Sequence, residues 1–468
     1  MIYFNYFTAQ ECFTKQYDTS DLNKDLVILK KSILQLHPSV GFYENYDFYK
    51  QYLDTALQVK NKMTEKEFRI FLKSKLNILH CGHTNIIPSK KYMKALKKKP
   101  FKVIPYFITY DNHQLTVVKG IEKKDTLLKP SDTILKIDRT PTDLIIRQMK
   151  KYLYTDGLAE SAKDEMIQRH FTFYFSGLVE KDSFLLTIKN KQGIQDIWIK
   201  TRTYLKVKNE LMTRKTDTLF KHPYRRYYNG RFLNTQKSVY YMQIRMFGGI
   251  LMKHRFRKAF RQLRKHQTDY LIIDLRNNPG GKITQSTNLL SYLLPTNDSL
   301  IYQKVIFNIH PKKYIRRKLE YRIIDFFLRL KSQSINKSEN TYSDKIHKRN
   351  RNKFKGKVYV LANANTFSAA NLVAVYLSKR PDTKIVGSEP SGIKWGSNAV
   401  SFLRLYLPHT KIMFVIPTYR IIHSVHYTNG NTLLYPIKPD IPTYYHTQDL
   451  FLKRDKEMEA VYLDIIKK

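Results

Sequence analysis

The order of strands and helices after residue 237 is the feature that most constrains the fold of this chain. Two short apolar runs of strand length, in "DYLIIDLRNN" and "KVYVLAN", are each followed by a segment with helical character. Strands that alternate with helices in this way form parallel pairs in a sheet whose faces the helices cover. The sequence therefore predicts a layered α/β core over about residues 230–445.

Two regions of different character precede this core. Residues 18–95 are predicted to be helical, with leucines at helical spacing and a capping box formed by Thr64 and Glu67. Residues 100–200 contain alternating or apolar runs of strand length and are predicted to form a small β-rich domain.

Three further segments complete the predicted organisation. Residues 1–17 are interpreted as a signal remnant, with cleavage near Ala9 or Gln10, or as a disordered segment, although the basic n-region of a signal peptide is missing. This interpretation favours export to the periplasm or cell envelope. Residues 311–356 are a basic insert, predicted to be one amphipathic helix followed by a loop, and residues 446–468 are predicted to be a C-terminal helix.

The net charge of +44 raises the question of an anionic partner. The basic residues are spread along the whole chain, and no zinc-finger spacing or RNA-binding signature accompanies them. A general Lys-rich bias explains this composition, so no nucleic-acid partner is expected. The two cysteines cannot build a disulfide framework or a metal site by themselves, and no apolar run approaches the ~20 residues of a transmembrane helix.

Two polar clusters follow the buried strands of the core, where α/β folds place their sites. In "DLRNNPGG", the glycine pair Gly280 and Gly281 is either a tight turn or a loop whose backbone N–H groups face an anion. In "ANTFSAAN", Ser368 is either a helix cap or a nucleophile, with the N–H of Ala369 as half of an oxyanion hole.

A third cluster, "HCGHTNI", lies in a turn between a predicted helix and a strand. His83 is either a structural histidine or a general base, and Cys81 is either a buried cysteine or a thiol nucleophile.

Taken together and in this order, "GHT", "SDTILKID", "DLRNNPGG" and "NTFSAAN" resemble the tail-specific, or C-terminal-processing, serine peptidase family. The resemblance covers about residues 20–445 and is nearest to the branch related to the tricorn core and the retinoid-binding repeats. It implies a Clp- and crotonase-like spiral of β-β-α units. It also implies a PDZ-like domain in which Ser131 and Arg139 replace usual glycines.

The resemblance also assigns roles to residues. Ser368 matches the family nucleophile, and the oxyanion donors would be the backbone N–H groups of Ala369 and of Gly280 or Gly281. The general base is Lys394 if the chain follows the tail-specific proteases, and His83 if it follows the tricorn-like branch. The third, orienting residue has no clear match, and the sequence offers Glu389, Asn429 and Asn431.

These expectations define a serine endopeptidase that acts on protein or peptide substrates and needs no cofactor or metal. An alternative is a catalytically weak or inactive relative that binds peptides or lipids in the cell envelope. A second alternative is a binder of nucleic acid or anionic surfaces that uses the basic insert. The sequence leaves the oligomeric state open.

Overall fold

The computed structural model is mixed α/β with several sheets, and it describes residues 9–121, 125–204, 227–294, 299–304, 313–316, 318–331, 333–336, 340–346, 352–423 and 430–467. Thirteen α-helices occur in these ranges: Ala9–Thr14, Thr19–Leu36, Tyr46–Ala56, Glu65–Leu76, Lys90–Lys98, Thr142–Lys150, Glu160–Leu178, Met252–Lys265, Ile283–Leu290, Lys318–Lys331, Ala369–Leu377, Thr447–Phe451 and Lys456–Ile466. Two short 3₁₀ helices span Asn77–Leu79 and Gly430–Leu434.

The central sheet is the predicted α/β core. In spatial order its strands are Tyr228–Phe232, Val239–Ile244, Tyr270–Asp274, Lys357–Ala362, Thr383–Gly387 and Ile441–Pro442. The first pair is antiparallel and all the others are parallel. The parallel pairing confirms the prediction from alternating strands and helices.

The two faces of the central sheet bury alternate residues of each strand, as the two-residue period of a strand requires. Ile273 and Val360 face a large core that includes residues of the helices Met252–Lys265, Ile283–Leu290 and Ala369–Leu377. The neighbouring strand residues face a smaller core closed by the C-terminal helix Lys456–Ile466.

A second sheet is antiparallel throughout and joins the N-terminal helices to the core. Its strands are Ile315–Arg316, Gly396–Tyr406, Met413–His423, Ser299–Lys304, Thr341–Lys345 and Gln333–Asn336, with Asn85–Ile87 paired to Met413–His423. The helices of residues 18–95 pack on it. The capping box predicted at Thr64 and Glu67 is present.

The third sheet lies in the predicted β-rich domain. In order, its strands are Gly193–Lys200, Ser183–Asn190, Thr133–Ile137, Gln114–Gly120 and Tyr106–Asp111, with Thr140–Pro141 beside Thr133–Ile137. The helices Thr142–Lys150 and Glu160–Leu178 cover its core. Two small ladders pair Gln16–Tyr17 with Met63–Thr64 and Lys102–Val103 with Arg202–Thr203.

One expectation from the sequence needs correction. The basic insert was expected to be a helix followed by a loop, but its described part also contains the strands Gln333–Asn336 and Thr341–Lys345, which extend the second sheet. Of residues 1–17, the structure describes 9–17, where Ala9–Thr14 is helical and Phe13 packs edge-on against Tyr92.

Candidate active site

Ser368 occupies a sharp turn between the buried strand Lys357–Ala362 and the helix Ala369–Leu377, here called the serine helix. Its backbone has φ 54° and ψ −123°, and its side chain makes no capping hydrogen bond to that helix. An ordinary helix cap adopts the β region and accepts such a bond. A strained backbone at a strand-to-helix turn is instead the geometry that exposes a nucleophile.

Two loops that are distant in sequence hold this turn together. The loop before the serine, residues 363–367, is called the serine loop, and residues 275–281 are called the glycine loop. The Thr366 hydroxyl donates to the Leu275 carbonyl (2.9 Å), and the Phe367 amide donates to the Asn278 carbonyl (3.0 Å). In addition, the Asn277 amide donates to the Asn363 side chain, and the Asn363 side chain donates to the Asn277 side chain. The two loops therefore form one hydrogen-bonded unit.

The glycine pair lies directly against Ser368. A Cβ added to Gly280 would meet the Cβ of Ser368 at 2.6 Å and the amide nitrogen of Ala369 at 2.9 Å. Only a residue without a side chain fits there, and Gly280 also has φ 103°. The glycine is thus explained by close backbone approach to the serine and to the start of the serine helix.

The structure separates the two glycines as hydrogen-bond donors. The Gly280 amide donates to the Asn278 side chain at 2.8 Å, so it is not available to an oxyanion in this arrangement. The Gly281 amide and the Ala369 amide donate to no acceptor in the described part of the chain. Of the two glycine amides, only that of Gly281 is therefore open to a further acceptor.

His83 lies beside the residue that precedes the serine. Its ring packs on the Phe367 ring with centroids 4.5 Å apart, and its side chain is 11% exposed. Burial lowers the pKa of His83 to about 4, so the imidazole is neutral at pH 7 and able to accept a proton.

Asp156 is the acid that the structure places next to His83. Its Oδ2 atom lies 3.9 Å from His83 Nδ1, and neither atom has a hydrogen-bond partner although both are buried. The other oxygen of Asp156 accepts the Gly82 amide at 2.8 Å. Burial raises the pKa of Asp156 to about 8. Asp156 is not among the residues predicted from the sequence, although it lies in an Asp-Gly turn, "YTDGLAE", in a chain with few glycines.

The orienting residues suggested by the sequence are one acid, Glu389, and two amides, Asn429 and Asn431. Glu389 accepts a hydrogen bond from the Ser161 hydroxyl and lines a separate cavity of about 730 Å³. Asn431 lies in the short helix Gly430–Leu434, and Asn429 lies outside the described residues.

The surroundings of Lys394 and Cys81 shift the pKa values of both side chains. Burial lowers the pKa of the Lys394 amine, and the positive charges of Lys379 and Lys438 lower it further. Lys379 follows the far end of the serine helix from Ser368. Burial raises the pKa of the Cys81 thiol to about 12, which opposes the thiolate form that a nucleophile needs.

A cavity of about 890 Å³ adjoins the site. Phe367, Asn277 and Pro279 line it on the side of the serine, and the strand Tyr106–Asp111 and the helix Glu160–Leu178 line it on the other. The Thr109 hydroxyl in this wall is fully buried and has no partner among the described residues. The cavity therefore runs from the third sheet to the loops around Ser368.

Glu165 connects the far wall of this cavity to the serine loop. It belongs to the helix Glu160–Leu178, and its carboxylate accepts the Ala364 amide at 2.9 Å and the Ser388 hydroxyl. The β-rich domain is thus tied by a charged hydrogen bond to the loop that carries the serine.

Arg276 fixes the glycine loop to the C-terminal helix. Its guanidinium bonds Asp274 (2.8 Å), Asp455 (2.6 Å) and Glu457 (2.9 Å), and the side chains of Asp274 and Glu457 are both 2% exposed. This cation therefore neutralises two carboxylates that are shielded from water.

We expect Arg276→Ala to lower the free energy of unfolding by about 3–5 kcal/mol, because it leaves buried carboxylates without their cation. Urea denaturation followed by circular dichroism measures this loss. Arg264→Ala, which removes an exposed arginine of the helix Met252–Lys265, serves as the control and should change stability by less than about 0.5 kcal/mol. An equal effect of the two substitutions would contradict the role of the Arg276 network.

None of the helices among the described residues is both long enough and apolar enough to cross a bilayer. No group of three or more His, Cys, Asp or Glu side chains in that part of the chain is arranged to hold a metal ion.

The structure is similar to mature CPAF in complex with lactacystin, with a TM-score of 0.65 and 16% identity, over 96% of this chain and 98% of that chain. It is similar to mature CPAF in a second structure, with a TM-score of 0.63 and 15% identity, over 96% of this chain and 97% of that chain. At these identities the likeness shows the fold alone. No curated protein matches the chain in sequence.

The class defined by the core domain and its serine turn is a serine-type peptidase. Residues 238–443 match the model of peptidase family S41, so this part of the chain is an S41 peptidase domain. The matched range contains both the glycine loop and Ser368.

Proposed function

We propose that this protein is a serine endopeptidase that cleaves peptide bonds through an acyl-enzyme on Ser368. The observation that carries the proposal is the backbone of Ser368, held at φ 54° against Gly280 and followed by the amide of Ala369. Such strain is retained where the surrounding structure enforces it, and here two interlocked loops do so.

In the proposed acylation step, neutral His83 takes the proton of the Ser368 hydroxyl while the Ser368 oxygen attacks the peptide carbonyl carbon. The carbonyl oxygen becomes an oxyanion and accepts hydrogen bonds from the amides of Ala369 and Gly281. The imidazolium then gives its proton to the leaving amine, and the C–N bond breaks.

Deacylation repeats the same chemistry with water. His83 removes a proton from water, the resulting hydroxide attacks the ester carbonyl, and the Ser368 hydroxyl is restored when the tetrahedral intermediate collapses. Lys394 and Glu389 have no part in this scheme, because Asp156 and His83 are the titratable pair beside the serine loop.

Asp156 is assigned the role of positioning residue. Its 3.9 Å separation from His83 is about one ångström longer than a hydrogen bond, and catalytic hydrogen bonds in empty sites are often long. Closure of this gap would orient the ring with Nδ1 toward the carboxylate and leave the second ring nitrogen for the serine.

The cavity beside Ser368 is proposed as the peptide groove. Its strand Tyr106–Asp111 is at the edge of the third sheet, and the helix Glu160–Leu178 packs along that strand. A strand edge beside a helix is the arrangement by which PDZ domains add a peptide strand, which supports a PDZ-like role for this domain. The spiral of β-β-α units, the tricorn-like branch and an envelope location are further parts of the proposal, and they rest on the sequence resemblance and the N-terminal pattern.

The proposal is tested with a fluorophosphonate probe, which labels activated serines. The wild-type protein should be labelled and Ser368→Ala should not, with the modified peptide identified by mass spectrometry. Ser378→Ala, at the other end of the serine helix, is the matched control and should be labelled like the wild type. Equal labelling of the Ser368→Ala variant would exclude Ser368 as the nucleophile.

A further inference from the structure

The helix of the basic insert, Lys318–Lys331, presents an apolar stripe to solvent. Leu319, Ile323, Phe326, Phe327 and Leu330 are 71%, 48%, 59%, 53% and 65% exposed. Their spacing of three, four or one residues places them on one face of the helix. Exposed apolar side chains are ordinary when scattered singly, but a contiguous stripe marks an interaction surface.

The opposite face of the same helix is fixed to the protein. Tyr321 is 6% exposed and belongs to the core under the second sheet, and Leu328 packs against that core. The Tyr419 hydroxyl donates to the Asp325 carboxylate at 2.8 Å. The helix is therefore held with its apolar stripe outward.

Positive charge predominates around the stripe, although the exposed carboxylate of Glu320 also lies at its edge. Arg322 and Lys331 lie on its two sides and are exposed, and Arg316 is exposed just before the helix. Residues 311–356 contain fifteen Lys or Arg and four Asp or Glu, within a chain of net charge +44. The surface thus combines apolar side chains with cations at their border.

We propose that this helix docks on an anionic lipid surface, with the stripe in the boundary between head groups and acyl chains. Amphipathic helices with Lys or Arg at the edge and Leu or Phe on the apolar face bind such surfaces, and each cation near anionic lipid strengthens the attachment. This surface is independent of the proposed peptidase chemistry.

The positive charge and the apolar stripe together favour a lipid surface over a second copy of the chain or a nucleic acid. A second copy of the chain carries the same +44 charge and would be repelled. A nucleic acid would satisfy the cations but would leave five apolar side chains in water. A lipid surface with acidic head groups accommodates both.

Vesicle co-sedimentation tests the proposal with the full-length protein. Binding is expected to phosphatidylcholine vesicles that contain phosphatidylglycerol, should weaken as salt rises, and should be much weaker to phosphatidylcholine alone. The double variant Phe326→Ser with Phe327→Ser should lower the affinity about tenfold or more, because both rings would enter the acyl boundary.

The matched control is Ile194→Ser with Trp198→Ser, two apolar side chains that are 66% and 63% exposed on the third sheet. It should bind vesicles like the wild type, and both double variants should keep the wild-type melting temperature and probe labelling. Unchanged vesicle binding by the Phe326 and Phe327 variant would overturn the proposal. So would binding to single-stranded RNA that competes with vesicles and does not depend on the two phenylalanines.

Discussion

His83→Ala is expected to lower kcat/KM for a peptide substrate by about ten-thousandfold or more. The serine hydroxyl is a poor nucleophile until a neighbouring base takes its proton, and loss of the base removes the same function as loss of the serine. His83 is neutral at pH 7 and lies beside the serine loop. Hydrolysis of a fluorogenic peptide by the purified variant measures the loss.

Lys394→Ala is the control that decides between the two bases suggested by sequence. We expect it to lower kcat/KM by less than about tenfold, because the charges that act on its amine are those of Lys379, Lys438 and Glu389. A greater loss with Lys394→Ala than with His83→Ala would transfer the role of the base to the lysine. His254→Ala, an exposed histidine of the helix Met252–Lys265, should have no effect.

The pH profile gives an independent check on the base. Since burial lowers the pKa of His83 to about 4, kcat/KM of the Asp156→Asn variant, in which position 156 cannot titrate, should stay level from neutral pH down to about pH 5. It should fall below about pH 4, where the imidazole binds a proton and cannot accept another. Intrinsic fluorescence recorded at each pH separates this loss of activity from unfolding.

At pH 9, where the Asp156 carboxyl is ionised, Asp156→Asn is expected to lower kcat by about a thousandfold while KM changes little. An amide cannot stabilise the imidazolium that forms in the transition state, and it can favour the wrong orientation of the ring. Because Asp156 positions His83 and does not bind the substrate, its substitution should change kcat and the pH dependence of kcat. A loss in KM alone would contradict this role.

The raised pKa of Asp156 predicts that pH dependence. Its carboxyl is protonated at pH 7 and becomes anionic as pH rises through about 8, so wild-type kcat should rise between about pH 7 and 9. The Asp156→Asn variant should lack this rise.

The same raised pKa predicts an effect on stability. Because the pKa of Asp156 in the folded protein lies above the ordinary value of 3.8, the buried carboxyl destabilises the wild type increasingly as pH rises from about 4 to 8. The variant should therefore be at least as stable as the wild type at pH 8.

The core of the fold follows from local pattern in the sequence. Tyr270–Asp274 and Lys357–Ala362 are short and apolar on both faces, as parallel strands covered by helices must be. The turns at their ends carry Ser368 and the glycine pair, so the place of both in the fold could be predicted. Which glycine amide is already hydrogen-bonded could not, because it depends on a bond from the Gly280 amide to the Asn278 side chain.

Other features depend on contacts between distant parts of the chain. Asp156 and His83 lie next to each other only because the β-rich domain packs against the N-terminal region, and no local sequence pattern predicts that contact. The hairpin Gln333–Asn336 and Thr341–Lys345 is polar and reads as a loop, yet pairing with Ser299–Lys304 makes it part of a sheet. The helix Glu160–Leu178 also escaped prediction, because apolar side chains occur around much of its surface.

The hydrogen bond from the Ala364 amide to Glu165 couples the position of the serine loop to the wall of the proposed peptide groove. A helix that lines the proposed peptide groove holds the backbone four residues before Ser368, and the same carboxylate also holds Ser388. A charged hydrogen bond of this kind is worth about 1.5–3 kcal/mol, which is enough to oppose independent movement of its two ends. Movement of the β-rich domain away from the core would therefore break these hydrogen bonds or displace the serine loop, and with it the backbone before Ser368.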